Sequence, residues 1–203
     1  MITVMEDRAF AAFREEVLRF VEPRIKPKRF IHTLGVEKQA LHLASLYLPD
    51  DLQSVSLAAL LHDNAKSLPG KKQLSISKEA FPDVELSQQY ESILHAFAGA
   101  VEAKEKYSDL SSDIVNAIAF HTTGRPGMST LEKIIYCADF TELNREPFDG
   151  LEEARKLLDE DLDKGLLMIL KHTAAYVRQQ KKDVHPLTLE TIRFYEKEIN
   201  NHG

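Results

Sequence analysis

Apolar residues recur at helical spacing along most of the chain, and no segment of useful length alternates as a β-strand would. Phe10, Phe13, Val17 and Phe20 fall on one face of a helix predicted over residues 7–25. The same spacing predicts further helices over residues 30–48, 50–66, 88–107, 111–127, 129–143 and 187–199, and either one long helix or two over 151–182. The pattern therefore predicts an all-α fold.

Two stretches mark where helices begin or stop. Residues 67–87 contain two prolines and a glycine, which favour loops around one short helix. Ser129 is followed three residues later by Glu132, the pattern of a capping box at a helix start. Because no repeat or linker interrupts the chain, we expect one domain over residues 1–203. The expected site region spans roughly residues 29–145, and the expected C-terminal helices span residues 151–203.

Polar side chains interrupt apolar helix faces at several positions. The predicted helix over 50–66 is apolar nearly all round from Val55, yet it ends in the doublet His62-Asp63. His95 lies inside an apolar run, and His121 shares a helix face with the apolar residues three and four positions before it. A buried polar group without a partner costs free energy, and an unpaired charge costs far more. These side chains must therefore meet a partner inside the protein.

Two more polar residues lie at the edges of apolar faces. Asp139 follows Ile135 by one turn, and His32 stands next to Ile31 and one turn before Val36. A shared metal centre satisfies all of these groups at once, because cations neutralise carboxylates and accept imidazole nitrogens as ligands. Four histidines and two aspartates exceed what one tetrahedral zinc needs, so they predict two six-coordinate ions. The predicted metal ligands are His32, His62, Asp63, His95, His121 and Asp139.

Composition excludes several classes of protein. The 203 residues carry a formal net charge of −6, which argues against a general nucleic-acid binder. No stretch is long and apolar enough for a membrane span, and the first residues lack a signal-type apolar core. Cys137 is the single cysteine, so no internal disulfide forms, which fits the reducing cytoplasm.

Cations near the predicted ligands indicate a phosphate site. Arg29 precedes His32 by about one turn, Lys66 follows Asp63 by three residues, and Arg145 follows Asp139 by six. These charges either bind phosphate or are simply solvated. The segment Thr122, Thr123, Gly124 either lines a substrate cleft or is an ordinary helix C-terminus with glycine as the stop.

The order of the predicted ligands is similar to that of the HD-domain metal-dependent phosphohydrolases. The stretches RFIHTLGV, AALLHDNAK, HTTG and MSTLEKIIYCADFTELNR resemble more specifically the YqeK family of bacterial symmetrical dinucleoside-tetraphosphate hydrolases. The resemblance extends from about Arg29 to the last helix. It implies an all-α HD-domain fold and cleavage of diadenosine tetraphosphate into two ADP.

The resemblance also implies roles for individual residues. His32, His62, Asp63 and Asp139 would hold one metal ion, and His95 and His121 would hold a second, with Asp63 bridging the two. The family's usual metal is iron, although the same ligands also accept manganese, cobalt or zinc. The paired ions would lower the pKa of a bridging water and supply the hydroxide that attacks phosphorus. Together with the spacing of the cations, this makes Asp63 and Lys66 the candidate catalytic residues, and the candidate substrate-binding residues are Arg29, Lys66, Thr122, Thr123, Gly124, Arg145, Pro186 and Thr188.

The chain departs from the family pattern at two positions. Asn64 follows the His-Asp doublet, where the family often has an aromatic residue, and Ile192 stands where the family commonly has a tyrosine. Two other functions stay open at this stage, namely hydrolysis of another nucleotide or phosphate ester, and nucleotide sensing without catalysis. The partners expected are the dinucleotide and its ADP product, with no nucleic acid and no membrane. A homodimer is one option for the oligomeric state.

Overall fold

The computed structural model describes residues 6–202, and this part of the chain is helical with no β-strand, which confirms the all-α prediction. Residues 1–5 and 203, the ends of the predicted domain, lie outside it, and the assignment of one domain stays a prediction. The helices are α1 (Asp7–Val21), α2 (Pro27–Tyr47), α3 (Leu52–Leu61), α4 (Gly70–Ala80), α5 (Glu91–Lys106), α6 (Ser112–Phe120), α7 (Thr130–Thr141), α8 (Leu151–Glu160), α9 (Leu162–Gln179) and α10 (Pro186–His202). No helix among these residues has the length and apolar character to cross a membrane.

Helix α7 is central to the packing. It contacts α2, α3 and α6 from the N-terminal part and α8 and α9 from the C-terminal part, while α10 packs against α9. Leu131, Ile134, Ile135 and Ala138 are buried and lie at the helical spacing of one apolar face. The predicted capping box is present, since Ser129 and Glu132 exchange hydrogen bonds between side chain and backbone. Helix α7 therefore joins the N-terminal helices to the C-terminal ones.

Helix α3 ends earlier than its apolar pattern predicts. It stops at Leu61 instead of running to Lys66, and residues 62–67 form consecutive turns. The Nδ1–H of His62 donates to the carbonyl of Ala59, and the amide of Asn64 donates to the carbonyl of Leu61. These side chains occupy carbonyls that later backbone N–H groups would use in a continuing helix. The predicted helix was therefore too long because local side-chain bonds compete with helical ones.

The stretch over residues 151–182, predicted as one helix or two, forms two. Helix α8 ends at Glu160, and the carboxylate of Asp161 accepts hydrogen bonds from the backbone N–H groups of Asp163 and Lys164. An aspartate in this N-cap position satisfies donors that a helix start leaves free. Helix α9 therefore begins as a separate helix at Leu162 and packs against α7, α8 and α10.

Candidate metal centre and phosphate cavity

The six predicted metal ligands converge from five parts of the fold. His32 lies on α2, the doublet His62-Asp63 follows α3, His95 lies on α5, His121 follows α6, and Asp139 lies in the last turn of α7. Their ligand atoms form three overlapping groups, within each of which the atoms lie no more than 4.8 Å apart. The groups are His32, His62 and Asp63; His62, His121 and Asp139; and Asp63, His95 and His121.

Asp63 lies at the middle of this cluster. Its Oδ1 is 3.0 Å from Nε2 of His95 and 3.8 Å from Nε2 of His121, and its Oδ2 is 3.4 Å from Nε2 of His62. Asp139 approaches the same space from α7, with Oδ1 at 3.0 Å from Nε2 of His32. One carboxylate thus faces three imidazoles, an arrangement suited to a ligand that bridges two ions.

Two of the imidazoles are oriented by backbone carbonyls. Nδ1–H of His62 donates to the carbonyl of Ala59 at 2.6 Å, and Nδ1–H of His121 donates to the carbonyl of Ile118 at 2.7 Å. Because a carbonyl only accepts, each ring must carry its proton on Nδ1 when it is neutral. The unprotonated Nε2 then points into the cluster. A hydrogen bond to the second ring nitrogen is the usual support for a metal-binding histidine.

A buried carboxylate that the sequence reasoning missed supports the third ring. Nδ1 of His32 lies 3.1 Å from Oε1 of Glu142, whose other oxygen accepts from the backbone N–H of Asn144 at 2.6 Å. Gly35 provides the space, since a Cβ there would lie 2.3 Å from Oε2 of Glu142. Glu142 follows Asp139 by three residues, and this spacing was the available signal. The sequence did not indicate its role, because its contact with His32 joins residues that are far apart in the chain.

The inward-facing atoms of the cluster lie close to charged and imidazole neighbours but are not satisfied by hydrogen bonds. Among the described residues, Nε2 of His32, Nε2 of His62 and both carboxylate oxygens of Asp63 are buried and make no hydrogen bond. Burial lowers the pKa of His121 to about 3, so this ring is neutral at physiological pH. Burial opposes ionisation of Asp63, but His62 and His95 hold its pKa well below the ordinary value. Imidazole nitrogens around ionised carboxylates are the donor set of a divalent metal, so the residues fit one.

Three cations surround the carboxylates. One terminal nitrogen of Arg29 lies 3.0 Å from Oδ2 of Asp63, and Nζ of Lys66 lies 3.9 Å from its Oδ1. Arg145 donates to Oδ1 of Asp139 at 3.1 Å and to its backbone carbonyl at 2.7 Å. Burial lowers the pKa of Lys66. The structure thus brings together the three predicted phosphate-binding cations beside the predicted metal ligands.

A cavity of about 830 Å³ opens onto the cluster. Five of the predicted substrate-binding residues line it, namely Arg29, Lys66, Thr122, Arg145 and Thr188. Thr123, Gly124 and Pro186 are not among its lining residues. Thr123 is fully buried, Pro186 begins α10, and Gly124 has a positive φ of 63° and packs against Thr191. The positions of Thr123 and Gly124 favour the alternative that residues 122–124 form a helix C-terminus packed against α10.

The cavity also has an aromatic wall that the sequence did not indicate. Its aromatic and imidazole lining residues beyond the ligand cluster are Tyr90, Tyr136, Phe140, Phe148, His172, Tyr176 and His185. His172 and His185 carried no inward apolar context in the sequence. Their surroundings come from distant segments, since His172 binds the carbonyl of Asp149 and His185 binds the carbonyl of Glu85. The spacing of apolar residues within one helix does not predict contacts of this kind.

The two departures from the family pattern have separate structural settings. The side-chain amide of Asn64 donates to the carbonyls of Leu61 and Gly99, so this residue links the end of α3 to α5. Ile192 packs against the hydrophobic core from α10 and is not among the residues that line the main cavity. Asn64 therefore has a structural role, and Ile192 lies outside the lining of the main cavity.

Comparison with known proteins agrees with this geometry. Residues 29–144 match the family model of the HD domain. The symmetrical bis(5'-nucleosyl)-tetraphosphatase of Bacillus subtilis is 37% identical over 182 residues, which cover 89% of this chain and 96% of that protein. The protein of the same name from Halalkalibacterium halodurans is 36% identical over 178 residues, covering 88% and 94%.

A solved structure shares the whole architecture. The crystal structure of a predicted HD superfamily hydrolase involved in NAD metabolism from Clostridium acetobutylicum has 37% sequence identity and a TM-score of 0.82. The match covers 91% of this chain and 97% of that one. The chain therefore belongs to the HD-domain family, among the YqeK-like symmetrical bis(5'-nucleosyl)-tetraphosphatases.

Proposed function

We propose that this enzyme hydrolyses diadenosine tetraphosphate at the middle phosphate bridge, so that one water and one dinucleotide give two ADP. The observation that carries the proposal is the convergence of four imidazoles and two carboxylates, with unpaired atoms facing inward, beside three cations and a large cavity. The activity of the relatives from Bacillus subtilis and Halalkalibacterium halodurans supports the choice of substrate.

For the metal, we propose two ions, with iron as the native element. His32, His62, Asp63 and Asp139 would hold one, and Asp63, His95 and His121 the other. When bound, such ions supply positive charge that lowers the pKa of water and offsets charge on phosphate oxygens. Manganese, cobalt and zinc fit the same ligand types.

The protein's own side chains position and neutralise the phosphate chain. Arg29, Lys66 and Arg145 line the cavity and now contact site carboxylates, so each can exchange that contact for a phosphate oxygen. Positive groups in a partly enclosed site stabilise the charge that develops on the phosphoryl oxygens during transfer. Thr122 and Thr188 offer hydroxyl groups along the same wall. Asp63 lies at the centre of the cluster. After Arg29, Lys66 is the cation nearest to the carboxylate of Asp63.

Product analysis tests the proposed cleavage. Protein purified without chelator is incubated with diadenosine tetraphosphate, and the nucleotides are separated by anion exchange. We expect ADP as the nucleotide product, because attack at the middle bridge divides the molecule equally. Equal amounts of ATP and AMP, or no turnover, would contradict the proposal.

A nucleotide panel separates this substrate from the other phosphate esters that the same centre could hydrolyse. We expect a higher kcat/KM for diadenosine tetraphosphate than for deoxynucleoside triphosphates and nucleoside monophosphates. A faster rate with either of those classes would contradict the substrate assignment. A homodimer and a cytoplasmic location remain predictions from the sequence, the second because Cys137 is the single cysteine and no internal disulfide can form.

A further inference from the structure

A second, smaller cavity lies between α9 and α10, and we call it the α9–α10 groove. Its volume is about 280 Å³. Helix α9 contributes Lys171, Ala174 and Arg178 to its lining, at the spacing of one helix face, and α10 contributes the rest. None of the lining residues belongs to the metal cluster, and Ala174 is the one that also lines the main cavity. The groove is therefore a separate site.

Positive charge is concentrated in the α9–α10 groove. Lys171, Arg178 and Arg193 line it, against one carboxylate, that of Glu196. Residues 171–182 hold four lysines and arginines and no acidic residue, although the whole chain has a formal net charge of −6. A cleft lined by one sign of charge raises the local concentration of ions of the opposite sign. The groove therefore favours an anionic ligand.

The two arginines of the groove have no partner within the protein. Across residues 6–202, the side chains of Arg178 and Arg193 make no ion pair and no hydrogen bond. Six other arginines each pair with a carboxylate, namely Arg14, Arg24, Arg29, Arg125, Arg145 and Arg155. Nζ of Lys171 lies 2.7 Å from Oε1 of Glu196, but both side chains are about half exposed, so this pair exchanges easily. Two guanidinium groups from two helices are thus available to phosphate, whose oxygens a guanidinium binds two at a time.

Apolar side chains complete the lining of the groove. Leu189 and Ile192 of α10 are only half-buried and leave apolar surface there, beside the buried Ala174 of α9. An inorganic anion gains nothing from such surface, whereas an apolar group attached to the anion gains by burial. The volume is near the lower end of the range for small-molecule sites. The lining therefore fits a small ligand with an anionic head and an apolar body.

We propose that the α9–α10 groove is a second ligand site, which binds a small phosphorylated molecule. Its phosphate contacts Arg178 and Arg193, and its apolar part packs against Leu189 and Ile192. The site goes beyond the proposed function, because the hydrolysis at the metal cluster uses none of these four residues. A ligand there would lie on the opposite face of α9 from Tyr176, which lines the main cavity.

Equilibrium dialysis of the metal-loaded enzyme with phenylphosphonate tests the site. This probe joins a phosphate-like head to an apolar ring, and its phosphorus–carbon bond is not a bond that a phosphoester hydrolase cleaves. The double variant Arg178→Ala with Arg193→Ala should bind about one molecule fewer per chain than the unmodified protein, because it loses both guanidinium contacts. Inorganic phosphate should bind the same groove about fivefold more weakly, since it has no apolar surface to bury.

A control variant with the same change in charge makes the result specific. Arg8→Ala with Arg19→Ala removes two exposed arginines of α1 that do not line the groove, so it should bind phenylphosphonate as the unmodified protein does. Equal binding by the groove variant and the control would overturn the inference, and so would equal affinity of the groove for the two probes.

Turnover separates this site from the catalytic one. The groove variant should hydrolyse diadenosine tetraphosphate at the rate of the unmodified protein, and a parallel loss of hydrolysis would overturn the assignment of a separate site. Failure of the unmodified protein to cleave diadenosine tetraphosphate would instead count against the proposed function, whereas selective loss of one bound phenylphosphonate would still support the groove.

Discussion

Two buried clusters of charged residues in this protein have opposite hydrogen-bonding states. In the first, the carboxylate of Glu37 on α2 accepts from Nε of Arg14 at 2.7 Å, from a terminal nitrogen of Arg14 at 2.5 Å, and from Oγ of Ser56 at 2.6 Å. In the second, the buried oxygens of Asp63 face imidazole nitrogens and Arg29, which lies 3.0 Å from Oδ2, yet neither oxygen accepts a hydrogen bond within the described chain. A carboxylate that accepts several hydrogen bonds from the protein is a structural group, whereas a buried one that faces three imidazoles without accepting a hydrogen bond is arranged for a ligand.

The same comparison separates the roles of the two clusters in energetic terms. Glu37 with Arg14 joins α1 to α2, and losing it costs folding free energy. The cluster around Asp63 is maintained by second bonds from three of its four rings, such as Nδ1–H of His62 to a backbone carbonyl. Those second bonds set the direction of the ligand atoms and leave the atoms themselves available. The variants below alter one cluster at a time.

Asp63→Ala should have the largest effect. It removes the carboxylate that faces three imidazoles, so metal content and turnover should fall together, with kcat reduced by more than about a hundredfold. Metal analysis after gel filtration and a steady-state assay measure the two quantities. Retention of full activity would mean that the cluster has been assigned the wrong role.

Glu37→Ala should instead reduce stability and spare the metal. We expect the free energy of unfolding to fall by about 2–3 kcal/mol, less than the roughly 3–5 kcal/mol of a fully buried pair. The reduction is smaller because the side chain of Arg14 is 31% exposed and can turn to water. Urea denaturation gives the free energy, and metal content serves as the control. Loss of metal without loss of stability would reverse the distinction between the clusters.

Glu142→Ala should lower metal affinity without removing a ligand. It deletes the partner of Nδ1 of His32, and loss of such a partner typically lowers affinity about 10- to 100-fold. Glu142→Gln keeps an acceptor oxygen and should lose less. Competition with a chelator measures the affinity directly.

Two glycine substitutions, one of them a control, test the same contact between Glu142 and His32. Gly35→Ala should resemble Glu142→Ala, because the new Cβ would lie 2.3 Å from Oε2 of Glu142 and displace the carboxylate. Gly99→Ala should have little effect, since its Cβ would meet nothing closer than 3.5 Å. Equal metal affinity in the two variants would show that Glu142 does not position His32.

Lys66→Ala should produce the smallest change of the set. Its side chain is 36% exposed and lies at the rim of the cluster, so the metal should stay bound while kcat falls about tenfold. A steady-state assay beside metal analysis separates the two effects. A parallel loss of metal would show that Lys66 supports the metal ligands and does not act as a phosphate-binding cation.

The sequence predicted those features that act within one helix. His95 and His121 were recognised because a polar residue in an apolar run must meet a buried partner. Glu142 and the aromatic wall were missed because their contacts join segments far apart in the chain, as His172 does with Asp149. The early end of α3 was missed because Asn64 binds a backbone carbonyl locally, which hydrophobic spacing does not encode.

Anomalous diffraction from crystals of protein purified without chelator tests the central claim most directly. We expect two peaks within coordination distance of the cluster, one among His32, His62, Asp63 and Asp139 and the other among Asp63, His95 and His121. The absorption edge that produces them identifies the element, which we predict to be iron. Absence of any anomalous peak at these side chains, in protein that cleaves diadenosine tetraphosphate, would contradict the account.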